Sequence, residues 1–223
     1  MATDLKVAEK RTGTKDRILE AARLLFNRGG VQGTAVFRIA YELDMSPGNL
    51  TYHFKSKADI VLELARALRA RVEEAIFGLQ PPLRAAEVIA HLEIVLGALW
   101  SYRFLFNSGV YVSQMDEDLA RQIGDVQNRI RDILTNYFEN TISRGEMRRP
   151  TQEDGVALLC DNILALWLQW LQAESAGDPE PDAPDPAALR NCMRHHYSLM
   201  DPYVSRAFAQ QSWAEIARRY GAA

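Results

Sequence analysis

Cysteine is scarce in this chain of 223 residues: only Cys160 and Cys192 are present, far apart in sequence. Two isolated thiols exclude a disulfide-framed scaffold and fit a reduced, cytoplasmic protein. The opening MATDLKVAEKRTGTK has no apolar core of the signal-peptide kind. No apolar run approaches the ~18–20 residues a membrane span needs, so no membrane association is expected. Strand-like alternation is missing and no segment recurs at a fixed period, which argues against β architectures and repeat solenoids. A nucleophile elbow, a phosphate loop, an HExxH pair and a Rossmann glycine string are all absent. The chain is therefore not expected to be an enzyme, and no cofactor or metal is expected.

Charge is slightly negative, at −3, but unevenly spread. Residues 1–60 hold ten Lys and Arg against seven Asp and Glu, and the remainder holds sixteen against twenty-two. A mildly basic head on an acidic body suits a nucleic-acid reader joined to a separate domain.

The pattern that is present is helical. Ile18, Ala21, Ala22, Leu25 and Phe26 form one apolar stripe, which Gly29-Gly30 should end. Thr34 is placed to cap a second helix whose apolar side chains are Phe37, Ile39, Ala40 and Leu43. Asp44 sits at the turn, where Asp tolerates a positive φ. Ser46-Pro47 opens a third helix as N-cap and first-turn proline. Leu50 and Phe54 should face the core, which leaves Gly48 and Tyr52 pointing away, flanked by Asn49 and Thr51. Gly48 lets the backbone approach another surface. Asn49, Thr51, Tyr52 and His53 offer donors and acceptors to phosphates and base edges, and Lys55 and Lys57 add positive charge. This layout is that of a helix-turn-helix DNA reader; any one of these residues, taken singly, could equally be ordinary surface.

The ordered string Thr34, Ile39-Ala40, Asp44-Met45, Ser46-Pro47-Gly48-Asn49-Leu50, Tyr52-His53-Phe54 and Lys57 resembles the DNA-binding domain of the tetracycline-repressor (TetR) family, over about residues 12 to 64. Ala35 stands where that family usually has Thr or Ser, and Asp44 where it usually has Gly. The resemblance implies an all-α chain with an N-terminal three-helix reader over residues 1–57, preceded by a basic arm, and a helical ligand-binding and dimerisation domain over 58–223. The candidate DNA-binding residues are Lys15, Thr34, Arg38, Ser46, Pro47, Gly48, Asn49, Thr51, Tyr52, His53 and Lys57. In the arm, Lys10, Arg11 and Lys15 either brush phosphates or belong to a solvated tail.

Residues 58–79 carry a long apolar stripe that Pro81-Pro82 should stop, and 83–103 are apolar on most sides. Short turns are expected over 104–114, a long helix capped by Asp116 over 117–144, and a strongly apolar helix capped by Thr151 over 152–173. A proline-acid loop, 175–186, precedes two last helices at about 187–200 and 202–220. The resemblance implies that 152–173 and 187–200 pair with a second copy in a four-helix interface. The apolarity of the first, with Trp167 and Trp170, suits that or burial in one central core.

Aromatic and polar groups between the body helices suggest a small-molecule pocket, or an ordinary aromatic core. The candidate ligand-binding residues are His91, Trp100, Arg103, Phe106, Asn107, Tyr111, Gln114, Met115, Asn162 and Trp167. A neutral or weakly polar ligand is expected, because Arg103 and Glu93 are the formal charges nearby. Cys192, His195 and His196 share a helical face, but no fourth metal ligand accompanies them. The reading is a homodimeric, ligand-responsive DNA-binding regulator, a repressor released from its operator by a small molecule. The alternatives are an all-helical carrier or enzyme with a vestigial reader, and a DNA binder without a ligand.

Overall fold

A computed structural model of the chain describes residues 13–78, 83–175 and 183–221. The Lys10 and Arg11 arm, the Pro81-Pro82 stop and residues 176–182 of the proline-acid loop lie outside the described residues. The secondary structure is α1 (Thr14–Gly33), α2 (Val36–Glu42), α3 (Pro47–His53), α4 (Lys57–Phe77), α5 (Ala85–Ser101), α6 (Phe104–Asn107), α7 (Gly109–Met115), α8 (Glu117–Ser143), α9 (Gly155–Ser175), α10 (Pro186–Met200) and α11 (Arg206–Tyr220). The β pairing among the described residues is a single antiparallel bridge between Met147 and Val204.

Local signals account for most helix ends. Gly30, at φ 68°, breaks α1 where the glycine pair predicts a stop. Asp44 adopts φ 50° between α2 and α3, the left-handed turn expected of it. Ser46 Oγ accepts from Asn49 N at 3.2 Å, ahead of Pro47. Ser56 and Asp59 form a reciprocal capping box that starts α4. Asp116 accepts from Leu119 N at 3.0 Å and opens α8 as expected.

Three local expectations are corrected. Thr34 is not an N-cap: that position belongs to Ala35, whose side chain caps nothing. The Thr34 hydroxyl instead lies 2.9 Å from Gly30 O and 3.3 Å from Leu25 O, bonding back onto α1. Thr151 does not cap α9, which begins at Gly155 after a turn in which Asp154 has φ 55°. Gly155 is required there, since a Cβ would fall 2.6 Å from Pro150 Cβ. The last helix starts at Arg206, capped by Ser205, rather than at Pro202.

The first three helices close over Ile18, Ala22, Phe26, Ile39, Leu50 and Phe54, all buried. Removing each large apolar side chain from water stabilises the fold by about 1.5–3 kcal/mol, enough to pin the short α3 against α2, which in turn packs on α1. α4 packs on α1 at one end and along α5 and α8 at the other, so one helix belongs to both cores. Helix α9 is long and apolar enough to cross a membrane by length and composition, which corrects the expectation that no such run exists. It packs against α5, α6, α8 and α10. Trp167 and Trp170 are 3% and 5% exposed, covered by their own chain.

Candidate DNA interface and ligand cavity

The first face is on the reader. The 3.6-residue period of α3 buries Leu50 and turns Gly48, Asn49, Thr51 and Tyr52 outward, all exposed. Tyr52 is 76% exposed, and a Cβ on Gly48 would meet nothing within 4 Å. Ser46 and Pro47 are exposed at the start of the helix. The Thr51 hydroxyl donates to Pro47 O at 2.5 Å, so its methyl and its lone pairs are what it offers outward. His53 is half-buried with its ring edge-on to Tyr52, centroids 5.3 Å apart. Arg38 is exposed on α2 and has no ion pair among the described residues.

Of the apolar side chains of α2, Ile39 and Ala40 are buried, whereas Phe37 is 68% exposed and Tyr41 is 81% exposed on the same short helix. A seven-residue helix has too few turns for a stripe to reveal its buried face. Thr34 is 2% exposed with its hydroxyl engaged, so its side chain is not on the outer face. Lys15 pairs with Glu63 at 3.1 Å and stands 5.5 Å over the Phe54 ring, linking α1 to α4. Lys57 turns inward: Nζ donates to Val31 O at 2.8 Å and lies 5.8 Å from the Tyr111 ring centroid. Desolvation holds its amine below the usual lysine range.

Lys57 thus belongs to a junction between reader and body. There, Asn27 Nδ2 and Arg23 Nη1 donate to Ser101 O at 2.8 and 3.0 Å. Phe104 N donates to Asn27 Oδ1 at 3.1 Å, and Val31 N to Ser108 Oγ at 3.4 Å.

The second feature is a cavity of about 310 Å³ in the body, enclosed by residues of α4, α5, α8, α9, α10 and α11. His91 and Trp167 line it. His91 Nδ1 is 2.5 Å from the Ala75 carbonyl, an acceptor, so Nδ1 carries a proton and donates. Gly78 makes room for this ring, since a Cβ there would fall 2.7 Å from His91 Cε1.

The other expected pocket residues lie elsewhere. Trp100 and Arg103 are each 3% exposed and pack on one another, the guanidinium carbon 4.6 Å from the ring centroid. Asn107, Tyr111 and Gln114 line a shallow crevice beside Gly29 and Gly30, at the junction with the reader. Phe106 and Met115 pack against the core without reaching the cavity. Asn162 is on the exposed side of α9. These residues gather where the sequence is richest in aromatic and polar groups, whereas the cavity lies between α4 and α5 on one side and α8 to α11 on the other.

The residues that sequence reasoning missed are Tyr137, Phe138, Glu146, His196, Tyr197 and Phe208, all of which line the cavity. His196 is 8% exposed, its ring stacked on Trp167 at 5.7 Å, and burial pulls its pKa down to about 4. Burial pushes the Tyr137 phenol up to about 12 and the Tyr197 phenol higher still. Among the described residues that line it, Glu146 is the one carboxyl group, and there is no Lys or Arg. Neither charge expected nearby is in the lining: Arg103 stacks on Trp100, and Glu93 is bonded by Arg219 and the Tyr220 hydroxyl. Cys192 and His196 are buried while His195 is exposed, so the three do not converge as a shared helical face predicts. Burial also pushes the Cys192 thiol up to about 12, against the thiolate a metal requires.

Comparison with known proteins accounts for both features. Residues 18–64 match the family model described as bacterial regulatory proteins, tetR family, and residues 63–211 match the TetR model, described as a bacterial transcriptional repressor. The chain is 25% identical over 150 residues to the "Probable HTH-type transcriptional regulator YttP" of Bacillus subtilis (strain 168), covering 62% of this chain and 68% of that one. It is 35% identical over 68 residues to the HTH-type transcriptional repressor AcnR of Corynebacterium glutamicum, a match that spans 30% of this chain and 36% of the repressor. A crystal structure of a TetR-family transcriptional regulator from Marinobacter aquaeolei VT8 superposes with a TM-score of 0.77 at 23% identity, covering 93% of this chain and 99% of that chain, and so shares the fold. Regulators of this kind are soluble proteins that bind operator DNA and small-molecule effectors and act as dimers. The two family matches together take in the reader, the body and the helix they share, and the chain belongs to the TetR family of bacterial transcriptional regulators, ligand-responsive DNA-binding repressors.

Proposed function

We propose that residues 1–57 read an operator through α3 and that residues 58–223 bind an effector and a second copy of the chain in the cytoplasm. The observation that carries the reading is the outward face of Gly48, Asn49, Thr51 and Tyr52 on a helix whose opposite side, Leu50, is wholly buried. Such a helix can enter a major groove without disturbing its own core. Tyr52 and Asn49 reach base edges; Arg38, Ser46 and the N-terminus of α3 reach phosphates. The exposed Phe37 and Tyr41 of α2 extend the same face and add contact area along the backbone.

The effector occupies the 310 Å³ cavity, and its binding shifts the reader through α4 and the junction at Asn27 and Lys57. Such coupling requires different effector affinities in the DNA-competent and released states. Dimerisation uses the outer faces of α9 and α10, residues 152–173 and 187–200. Leu158, 51% exposed, supports this, as does the exposed run Asn162, Ala165 and Gln169 one turn apart along α9. The two buried tryptophans lend it no support. Two readers on a two-fold axis then meet two half-sites. Catalysis forms no part of this reading.

A gel-shift assay with DNA from upstream of the protein's own gene tests it. The expected result is a salt-sensitive specific complex of one dimer. Failure of a folded dimer to bind such DNA at low salt overturns it.

A further inference from the structure

The cavity's single formal charge is placed by the end of α8. Gly145, at φ 73°, donates from N to Ile142 O at 2.9 Å, and Glu146 N donates to Thr141 O at 3.2 Å. These are the paired bonds of a Schellman stop, with glycine in the left-handed position. The next two residues are held by the Met147–Val204 bridge and by Arg148 N donating to Tyr203 O at 2.7 Å. The backbone of Glu146 is thereby fixed from both sides, and its side chain is in the cavity wall.

Glu146 has no counter-ion among the described residues. Its Oε2 is shut off from solvent and meets no hydrogen-bond donor among the described residues. The guanidinium of Arg148 donates to Pro202 O, and that of Arg149 pairs with Glu139. No Lys or Arg is among the described residues that line the cavity; its imidazoles are His196, held neutral by burial, and His91, whose Nδ1 is engaged by the Ala75 carbonyl. A carboxylate in an otherwise apolar wall is costly, and a cation bound beside it with N–H donors offsets that cost. The rest of the wall suits the remainder of such a molecule. Tyr137, Phe138, Trp167 and Phe208 supply aromatic faces that attract an organic cation and cover an apolar body.

We propose that the effector is a lipophilic amine bound as its ammonium ion, with Glu146 as counter-ion at the rim and the aromatic walls around its hydrocarbon part. This rests on the reading of the cavity as the effector site. It replaces the neutral ligand expected from Arg103 and Glu93. It also disfavours carboxylates, for which the described lining offers a like charge and no Lys or Arg.

Three probes of one shape decide it: phenethylamine, phenethyl alcohol and hydrocinnamate, titrated by calorimetry into the full-length protein. The amine is expected to bind at least about tenfold more tightly than the alcohol, as for a charge-assisted hydrogen bond, and the acid most weakly. Glu146→Gln, checked for an unchanged thermal transition, is expected to abolish the amine's advantage and leave the alcohol's affinity within about twofold. If Glu146→Gln fails to fold, the ranking of the three probes on the native protein still decides. Equal binding of amine and alcohol, or tighter binding of the acid, overturns the proposal and leaves the cavity as an effector site of other chemistry. Binding by none of the three overturns both.

Discussion

Asn27 and Ser101 are 74 residues apart in sequence and joined by a 2.8 Å hydrogen bond from Nδ2 to the main-chain carbonyl. The same amide accepts from Phe104 N through Oδ1 at 3.1 Å, so one side chain ties α1 of the reader to the α5–α6 corner. Asn27→Ala leaves the Phe104 N–H without its partner, while Ser101 O keeps Arg23. The expected loss is about 1–2 kcal/mol by denaturant unfolding. Operator affinity without effector is expected to hold, while the effector's power to release the operator falls. An unchanged release curve would remove Asn27 from the coupling.

Tyr52 separates reading from folding. At 76% exposure its truncation opens no cavity, so Tyr52→Ala is expected to keep the melting temperature within about 1 °C. Operator affinity measured by fluorescence anisotropy is expected to drop about tenfold, the cost of one good base or phosphate contact. Full affinity in the variant would place Tyr52 outside the interface.

Lys57 tests the inward assignment. A lysine on a phosphate contributes about one unit to the slope of log affinity against log salt. With Nζ on Val31 O and beside Tyr111, Lys57→Met is expected to leave that slope unchanged and to lower stability by about 1 kcal/mol, through the lost hydrogen bond. A slope reduced by about one would show that the amine swings out to DNA.

How much of this was legible in the sequence differs from region to region, for physical reasons. Ser46-Pro47 and the Leu50–Phe54 spacing define α3 because capping, proline geometry and helical period all bear on the same few residues. Asp116 was legible at the start of α8 for the same reason. Thr34 was misread because a hydroxyl one residue before a helix start serves equally to close the preceding turn, and only the α1 carbonyls decide between the two. Phe37 shows that apolar character marks burial only on average. The cavity was legible only at His91 and Trp167. Tyr137 and Phe138 belong to a stripe that predicts burial, and periodicity cannot say that a buried stripe borders a gap. Nothing in the local sequence marks Glu146, because its neighbour Met147 is held by a bridge to Val204 from a distant part of the chain.

His196 makes stability depend on pH. Its folded pKa of about 4 lies below the ordinary value of 6.5, so between these values the unfolded chain binds a proton that the folded chain refuses. Stability from this residue is complete above pH 6.5 and is lost as pH falls toward 4, by up to about 3 kcal/mol. Denaturant midpoints of the native protein are expected to fall between pH 6.5 and 5, before the carboxylates titrate. His196→Gln is expected to flatten that slope. An equal slope in both proteins would assign the effect to other groups.

The tryptophans have a use beyond packing. Trp167 is in the cavity wall and stacks on an imidazole; Trp170 lies behind it with its ring 6.0 Å from that of Trp100. All three indoles are buried within one chain, away from the outer faces of α9 and α10. The fourth tryptophan, Trp213 on α11, is half-buried and donates to Asp201, so it reports on the surface instead. In a Trp213→Phe background, a label-free emission titration would follow effector filling and remain nearly blind to two chains meeting.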